Sequence, residues 1–230
     1  MECRSCGNDF PLRSLGATGA LSTSPAAAYN DLVTISRELA TNDPIALFDL
    51  WFTEASATEP NDPNAAALAT ATAGGVPSVR MVLVKPVGEE RFCVFTNAES
   101  RKGAELIDNP SAALCFHWKT LRRQVRVEGA ITSLSAEASD AYFHSRSRGS
   151  QIGAAISNQS RPLGSREELE AKAQAFASSH PGEMSRPAYW RGFCLHAERI
   201  EFWTDGKDRL HDRFLFTREG DRWQRSRLYP

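Results

Sequence analysis

The sequence predicts a mainly β protein, an antiparallel barrel with flanking helices, and three observations carry that prediction. Short apolar runs recur between residues 65 and 132 and again between 193 and 228, divided by turn signals such as Gly74-Gly75-Val76-Pro77; strands so spaced close into barrels. Helical patterns are few and fall between groups of strands, unlike the strict alternation of a doubly wound sheet. No strand leads through Gly-x-Gly-x-x-Gly into a helix, so the pattern of a dinucleotide-binding domain is missing.

Residues 1–26 are small, polar and aperiodic and read as a flexible leader, with 27–230 as a single domain. Ala27 to Leu39 fits a helix. A firmer one opens at Asp43, an N-cap followed by Pro44, with Ile45, Leu47, Phe48 and Trp51 as a stripe turned to the core. Ala65 to Ala73 and Ser78 to Lys85 make a hairpin. Further strands are expected at Phe92 to Thr96, Ala112 to Trp118, Gln124 to Thr132, Phe193 to His196, Ile200 to Trp203, Phe214 to Thr217 and Trp223 to Leu228. Between Ser133 and His180 the pattern is helical, and Ser165 with Glu168 makes a capping box.

A formal net charge of -1 gives no global pull toward nucleic acid or an anionic membrane, so any phosphate site must be built locally from a few cations. No apolar stretch approaches a membrane span and no apolar signal core opens the chain, which together lead to the expectation of a reducing cytoplasm. Cys93 and Cys115 lie in strand runs and are expected as buried, reduced thiols. Cys3 and Cys6 form a C-x-x-C pair without a second pair or a spaced His, so no metal site is expected.

Four stretches concentrate polar chemistry. Arg209-Leu-His-Asp-Arg213 reads as a strand with Arg209, His211 and Arg213 on one face, either set against an anionic or electron-rich group or simply a solvated, charged edge. Ser100-Arg-Lys-Gly103 reads as a helix start, Ser100 its N-cap and Ala104, Leu106 and Ile107 its inner face. Cations there oppose the helix dipole unless a phosphate joins them. Tyr142, Arg146 and Ser150, spaced by four and four, share one face of a continuous helix, suited to a second phosphate or to plain solvation. Finally, Met81, Val82, Leu83 and Val84 run as an apolar strand between Arg80 and Lys85, while Gln124, Arg126 and Glu128 line the face opposite Val125 and Val127, a polar wall suited to a planar ligand.

With these stand Phe95-Thr-Asn97, Arg123-Gln-Val-Arg126, Tyr142-Phe-His-Ser-Arg146, Ser150-Gln-Ile-Gly153, Asn158-Gln-Ser160, Ile200-Glu-Phe-Trp203 and Arg227-Leu-Tyr-Pro230. In this order, from about residue 43 to the C-terminus, the set resembles the pyridoxine/pyridoxamine 5'-phosphate oxidase family. The resemblance implies an FMN-binding, Greek-key split β-barrel that works as a homodimer with its flavins at the subunit interface. It implies FMN contacts from Arg80, Met81, Val82, Leu83, Val84, Lys85, Phe95, Thr96, Arg101, Lys102, Gln124, Gln159, Ser160, Trp203 and Arg213. Lys85, Tyr142, Arg146 and Ser150 would hold a substrate phosphate. Arg209, Leu210 and His211 would lie over the pyridine ring, Arg209 and His211 being the catalytic pair. Phe95 stands where many relatives have Tyr, and no Arg-x-x-Tyr segment precedes Asp43.

The implied reaction oxidises the C4' alcohol of pyridoxine 5'-phosphate, or the C4' amine of pyridoxamine 5'-phosphate, to pyridoxal 5'-phosphate. Hydride goes to the flavin, dioxygen is the final acceptor and hydrogen peroxide leaves. Two alternatives stand beside it: a related flavin oxidase acting on another aromatic, such as a phenazine precursor, and a non-catalytic flavin or pyridoxal-phosphate carrier. Neither metal, nucleic acid nor membrane enters any of the three.

Overall fold

The computed structural model describes residues 42–230, so the expected leader, the helix over Ala27–Leu39 and the Cys3/Cys6 pair lie outside the described residues. Helix α1 (Pro44–Thr58) starts where its cap dictates, the Asp43 carboxylate accepting from the Ile45 and Ala46 amides at 2.9 and 3.2 Å. Its buried stripe is Leu47, Phe48, Trp51 and Ala55. Phe48 meets Phe92 and Phe116 edge-on at 4.9 and 5.1 Å, and Trp51 meets Phe202 at 5.1 Å, which lays the helix across the barrel core. Each such fully buried large side chain contributes about 1.5–3 kcal/mol.

Nine strands follow: β1 (Ala65–Ala71), β2 (Pro77–Leu83), β3 (Lys85–Val87), β4 (Glu90–Asn97), β5 (Ser111–Trp118), β6 (Arg123–Ser133), β7 (Trp190–Thr204), β8 (Asp212–Glu219) and β9 (Arg222–Arg227). Helix α2 (Arg101–Asp108) links β4 to β5, and α3 (Ala136–Ser145), α4 (Arg148–Ile156) and α5 (Arg166–Ser179) lie between β6 and β7. The sheet runs β2-β1-β5-β6-β7-β4-β3, with β8 on β7 and β9 on β8, antiparallel at every pairing. With β4 beside β7 and β5 and β6 beyond it, the order is that of a Greek key.

The strands β2 and β3 stand at opposite ends of that order, yet Val84 alone separates them in the chain. Consecutive Cα atoms are about 3.8 Å apart, so the two margins must lie side by side and the sheet must curl. The hairpin expected to reach Lys85 therefore ends at Leu83, and Lys85 begins a new strand opposite Cys93. Val84 is buried and its amide donates to the Asn64 carbonyl at 2.9 Å.

The runs at Phe193–His196 and Ile200–Trp203 prove to be one long strand. Along one edge β7 pairs with β6 from Phe193 to Thr204, and along the other it pairs first with β4, Trp190 to Cys194, and then with β8, Arg199 to Thr204. The fork coincides with a bulge at Glu128/Gly129. Gly129 is required there because a Cβ would stand 2.0 Å from the His196 carbonyl oxygen.

Four further expectations are corrected. The stretch 209–211 is not strand: Lys207–Arg209 is a 3-10 turn, Asp208 and Arg209 have φ of 56° and 64°, and β8 begins only at Asp212. The cause is Gly206, whose missing side chain admits the Leu210 carbonyl oxygen to 2.0 Å from where a Cβ would be, prolonging the turn. Tyr142, Arg146 and Ser150 do not share one helix, because Arg146 is extended and Ser147 caps a new helix by accepting from the Ser150 amide. Helix α2 buries Gly103, Glu105 and Leu106, whereas Ala104 and Ile107 are exposed. Cys93 is not a lone thiol: it lies directly opposite Cys194 in the β4–β7 ladder and is joined to it as a disulfide. Cys115 is free and half-buried, and burial pushes its thiol pKa up. No helix among the described residues is long and apolar enough to cross a membrane.

Candidate active site

Apart from the stretch 81–85, the expected site residues fall into three groups. The first gathers where β4, α2 and the loop after α4 meet. Ser100 caps α2, accepting from the Gly103 amide at 3.3 Å, and the Arg101 amide donates to Ser160 Oγ at 3.2 Å. Lys102 Nζ donates to Thr96 Oγ1 at 3.2 Å and to Gln159 Oε1 at 2.8 Å. Burial, and then the nearby Arg80 charge, lower the Lys102 pKa. Arg80 reaches the group from β2, donating to the Leu68 carbonyl at 3.1 Å, to Thr70 Oγ1 at 2.6 Å and to Ser78 Oγ.

The second group opens directly from the first. A cavity of about 290 Å³ is lined by Phe95, Thr96, Arg146, Ser150, Gln159 and Trp190 among others, so Thr96 and Gln159 belong to both groups. Phe95 stacks on Tyr142 at 3.9 Å and lies 5.4 Å from Trp190, whose ring is itself 6.2 Å from Tyr142, and the Phe95 ring fills space that a side chain at Gly192 would need. The Arg146 guanidinium sits 4.9 Å over the Trp190 ring. Its Nη1 is buried without a hydrogen-bond partner among the described residues, and burial lowers its pKa. An unpaired, buried guanidinium N–H beside a cavity is the polar atom that most needs a ligand. Gln151 steadies that corner by donating to the Arg146 carbonyl at 2.9 Å.

The third group stands on the other half of β7. Gln124, Trp203 and Arg213 are consecutive partners across β6, β7 and β8. Arg213 donates to Glu201 Oε1 at 2.8 Å and to the Tyr229 carbonyl at 2.9 Å, and the Glu201 bond raises its pKa. Arg126 bridges Glu128 at 2.6 Å and Glu201 at 3.4 Å. The His211 ring lies 4.7 Å from that of Trp203; its Nδ1 accepts from the Gly206 amide at 3.1 Å and is 3.3 Å from Asp205 Oδ1. Arg209 and Leu210 are exposed on the turn. Among the described residues no hydrogen bond or ion pair joins this group to the first two, so one chain presents the expected set as two separate parts. Met81 and Leu83, on the outer face of β2 with Val79, are exposed, while Val82 and Lys85 are half-buried.

Sequence reasoning missed Glu105, Gln151, Glu201 and Trp190. The first and third are carboxylates facing cations, a signal visible only once the strands are registered; Trp190 had no motif to mark it.

The fold is that of a split barrel with flanking helices. It is shared with the crystal structure of PhzG from Burkholderia lata 383 in complex with tetrahydrophenazine-1-carboxylic acid, with a TM-score of 0.78 at 30% identity over 83% of this chain and 94% of that one. A pyridoxamine 5'-phosphate oxidase-related, FMN binding protein from Nostoc punctiforme PCC 73102 has the same fold, with a TM-score of 0.64 at 18% identity over 77% and 94%. Residues 52–180 match the family model for pyridoxamine 5'-phosphate oxidase, and residues 190–230 that for the pyridoxine 5'-phosphate oxidase C-terminal dimerisation region. Pyridoxine/pyridoxamine 5'-phosphate oxidases from Rhodospirillum rubrum and Gluconobacter oxydans are 56% and 54% identical, over 84% and 82% of this chain and 98% and 94% of theirs. The chain belongs to the pyridoxine/pyridoxamine 5'-phosphate oxidase family.

Proposed function

We propose that this protein is an FMN-dependent oxidase that converts pyridoxine 5'-phosphate or pyridoxamine 5'-phosphate to pyridoxal 5'-phosphate, with dioxygen as acceptor. The observation that carries the reading is the unpaired, buried Nη1 of Arg146 at a cavity that adjoins the Lys102 cluster. Two phosphorylated molecules side by side need two adjoining anion sites, and the residues present fit both. Arg80, Arg101, Lys102 and Ser160, with the first amides of α2, hold the flavin phosphate. Thr96 and Gln159 lie between the two sites, and Arg146, Tyr142, Ser150 and Lys85 hold the substrate phosphate.

FMN bound there would supply the redox chemistry, hydride acceptance from C4' of the substrate and reoxidation by dioxygen with release of hydrogen peroxide. The protein's own share is positioning. The aromatic wall of Phe95 and Trp190 keeps the Arg146 cation dry, so that it discriminates strongly for a charged group. Arg209 clamps the outer face of the substrate and polarises the reacting oxygen or nitrogen, with His211 beside it.

The protein works as a homodimer in which Gln124, Trp203, Arg209, His211 and Arg213 of one copy complete the cavity of the other. This is supported by the separation of the groups within one chain, by the exposed Val79, Met81 and Leu83 on β2, and by the dimerisation-region match over 190–230. A phenazine-precursor oxidase is the second reading, favoured only by the likeness to PhzG, and that substrate class would offer Arg146 a singly charged carboxylate in place of a phosphate dianion. Peroxide release by the FMN-loaded protein decides between them: turnover is expected with pyridoxine 5'-phosphate and not with unphosphorylated pyridoxine, and equal rates with both would reject the assignment.

A further inference from the structure

Behind the first anion site lies a carboxylate that neither the motifs nor the proposed reaction uses. Glu105, on α2, is 4% exposed. Its Oε2 accepts from the hydroxyls of Thr70 and Ser78, the latter at 2.5 Å, and its Oε1 accepts from Arg101 Nε at 2.9 Å. The two hydroxyls in turn accept from Arg80, Nη1 donating to Thr70 and Nη2 to Ser78, and Nη2 is itself 3.3 Å from Oε2. Arg80 is thus bound to Glu105 directly and through two hydroxyl relays. The carboxylate fixes which way each relay points.

Burial alone would raise the Glu105 pKa, but the hydrogen bonds from Ser78, Thr70 and Arg101, with the Arg101 charge, outweigh it and hold it down to about 2. The group is therefore an anion at any working pH. Arg80, Arg101 and Lys102 with Glu105 leave a local formal charge of +2. That balances a phosphate monoester dianion, whereas the three cations alone would repel one another.

We infer that Glu105 is a positioning residue for the flavin phosphate, holding Arg80 and Arg101 at the angle from which they meet the dianion. The inference rests on the FMN reading above. Its consequence is confined to the phosphate: the isoalloxazine and ribityl parts of the cofactor gain nothing from Glu105.

The test titrates FMN and riboflavin, which differ only by the phosphate, into the flavin-free full-length protein and follows flavin fluorescence. Glu105→Gln is expected to weaken FMN binding about tenfold to a hundredfold, the scale of one or two charge-assisted hydrogen bonds, and to change riboflavin binding less than about threefold. Equal losses for both flavins, as a merely structural role would give, or an unchanged FMN affinity, overturns the inference. Wild-type protein that does not prefer FMN to riboflavin overturns the cofactor reading first, and the inference with it. If Glu105→Gln does not fold, Ser78→Ala, which removes one relay and keeps the carboxylate, is read by the same FMN-to-riboflavin ratio.

Discussion

Along β7, the segment Trp190–Cys194 and the segment Arg199–Thr204 belong to one strand but solve opposite electrostatic problems. In the first, laddered to β4, Trp190 is 5% exposed and the cation above it has a buried N–H with no acceptor among the described residues. In the second, laddered to β8, Arg126 and Arg213 are each bound to Glu201, and Arg126 also to Glu128. One half leaves its cation without a carboxylate partner among the described residues. The other has neutralised itself and offers a polar, ring-bearing wall in Gln124, Trp203 and His211. On the proposed reading, the contrast separates the work of holding phosphates from the work of covering flat rings.

The proposed division between copies is broken or confirmed most decisively by mixing variants. Arg209→Ala is expected to slow single-turnover flavin reduction about a hundredfold while FMN affinity stays within about threefold, measured by anaerobic stopped-flow absorbance. Arg146→Ala is expected to raise the KM for the phosphorylated substrate about tenfold to a hundredfold, with kcat little changed in saturation curves. If the halves come from different copies, unfolding and refolding the two variants together restores one intact site in each hybrid. At subsaturating substrate the mixture should recover about a quarter of wild-type activity. No recovery would place both halves in one chain.

Acid sharpens the same contrast. Because the Glu105 pKa falls from 4.5 unfolded to about 2 folded, its contribution to stability is complete above pH 4.5 and is lost as pH drops toward 2. Thermal unfolding of wild type should lose more stability over that window than Glu105→Gln, and parallel curves for the two would contradict it. The smallest effect belongs to Phe95→Tyr. The ring keeps its contacts with Tyr142 and Trp190, and kcat/KM should change less than about threefold in a peroxide assay.

Much of this was legible in the residues. The Asp43-Pro44 cap, the Ser100 cap with its following cations, and the alternation of Val125 and Val127 against Gln124, Arg126 and Glu128 each depend on neighbours a few positions away. What could not be read depended on contacts distant in sequence. Glu105 carried no signal in the sequence because Thr70 and Ser78, which bury it, lie on strands 35 and 27 residues earlier. The Arg209–Arg213 stretch alternates like a strand, and only the close approach of Gly206 to Leu210 shows that its first three residues turn instead. The break at Arg146 was missed for a third reason: the spacing fits a helix, but Ser147 competes for the backbone.

The single-residue step at Val84 turns a chemical position into a ruler. Val84 is enclosed, but what it fixes is distance, since one peptide link on either side is all that spans the seam between β2 and β3. Lengthening the chain there by even one residue would slip the Lys85–Cys93 register and turn Lys85 to the opposite face, taking a proposed phosphate ligand with it. Insertions between β8 and β9, at Gly220 and Asp221, would leave the seam untouched. Tolerance to insertion along this protein should therefore be lowest at Val84.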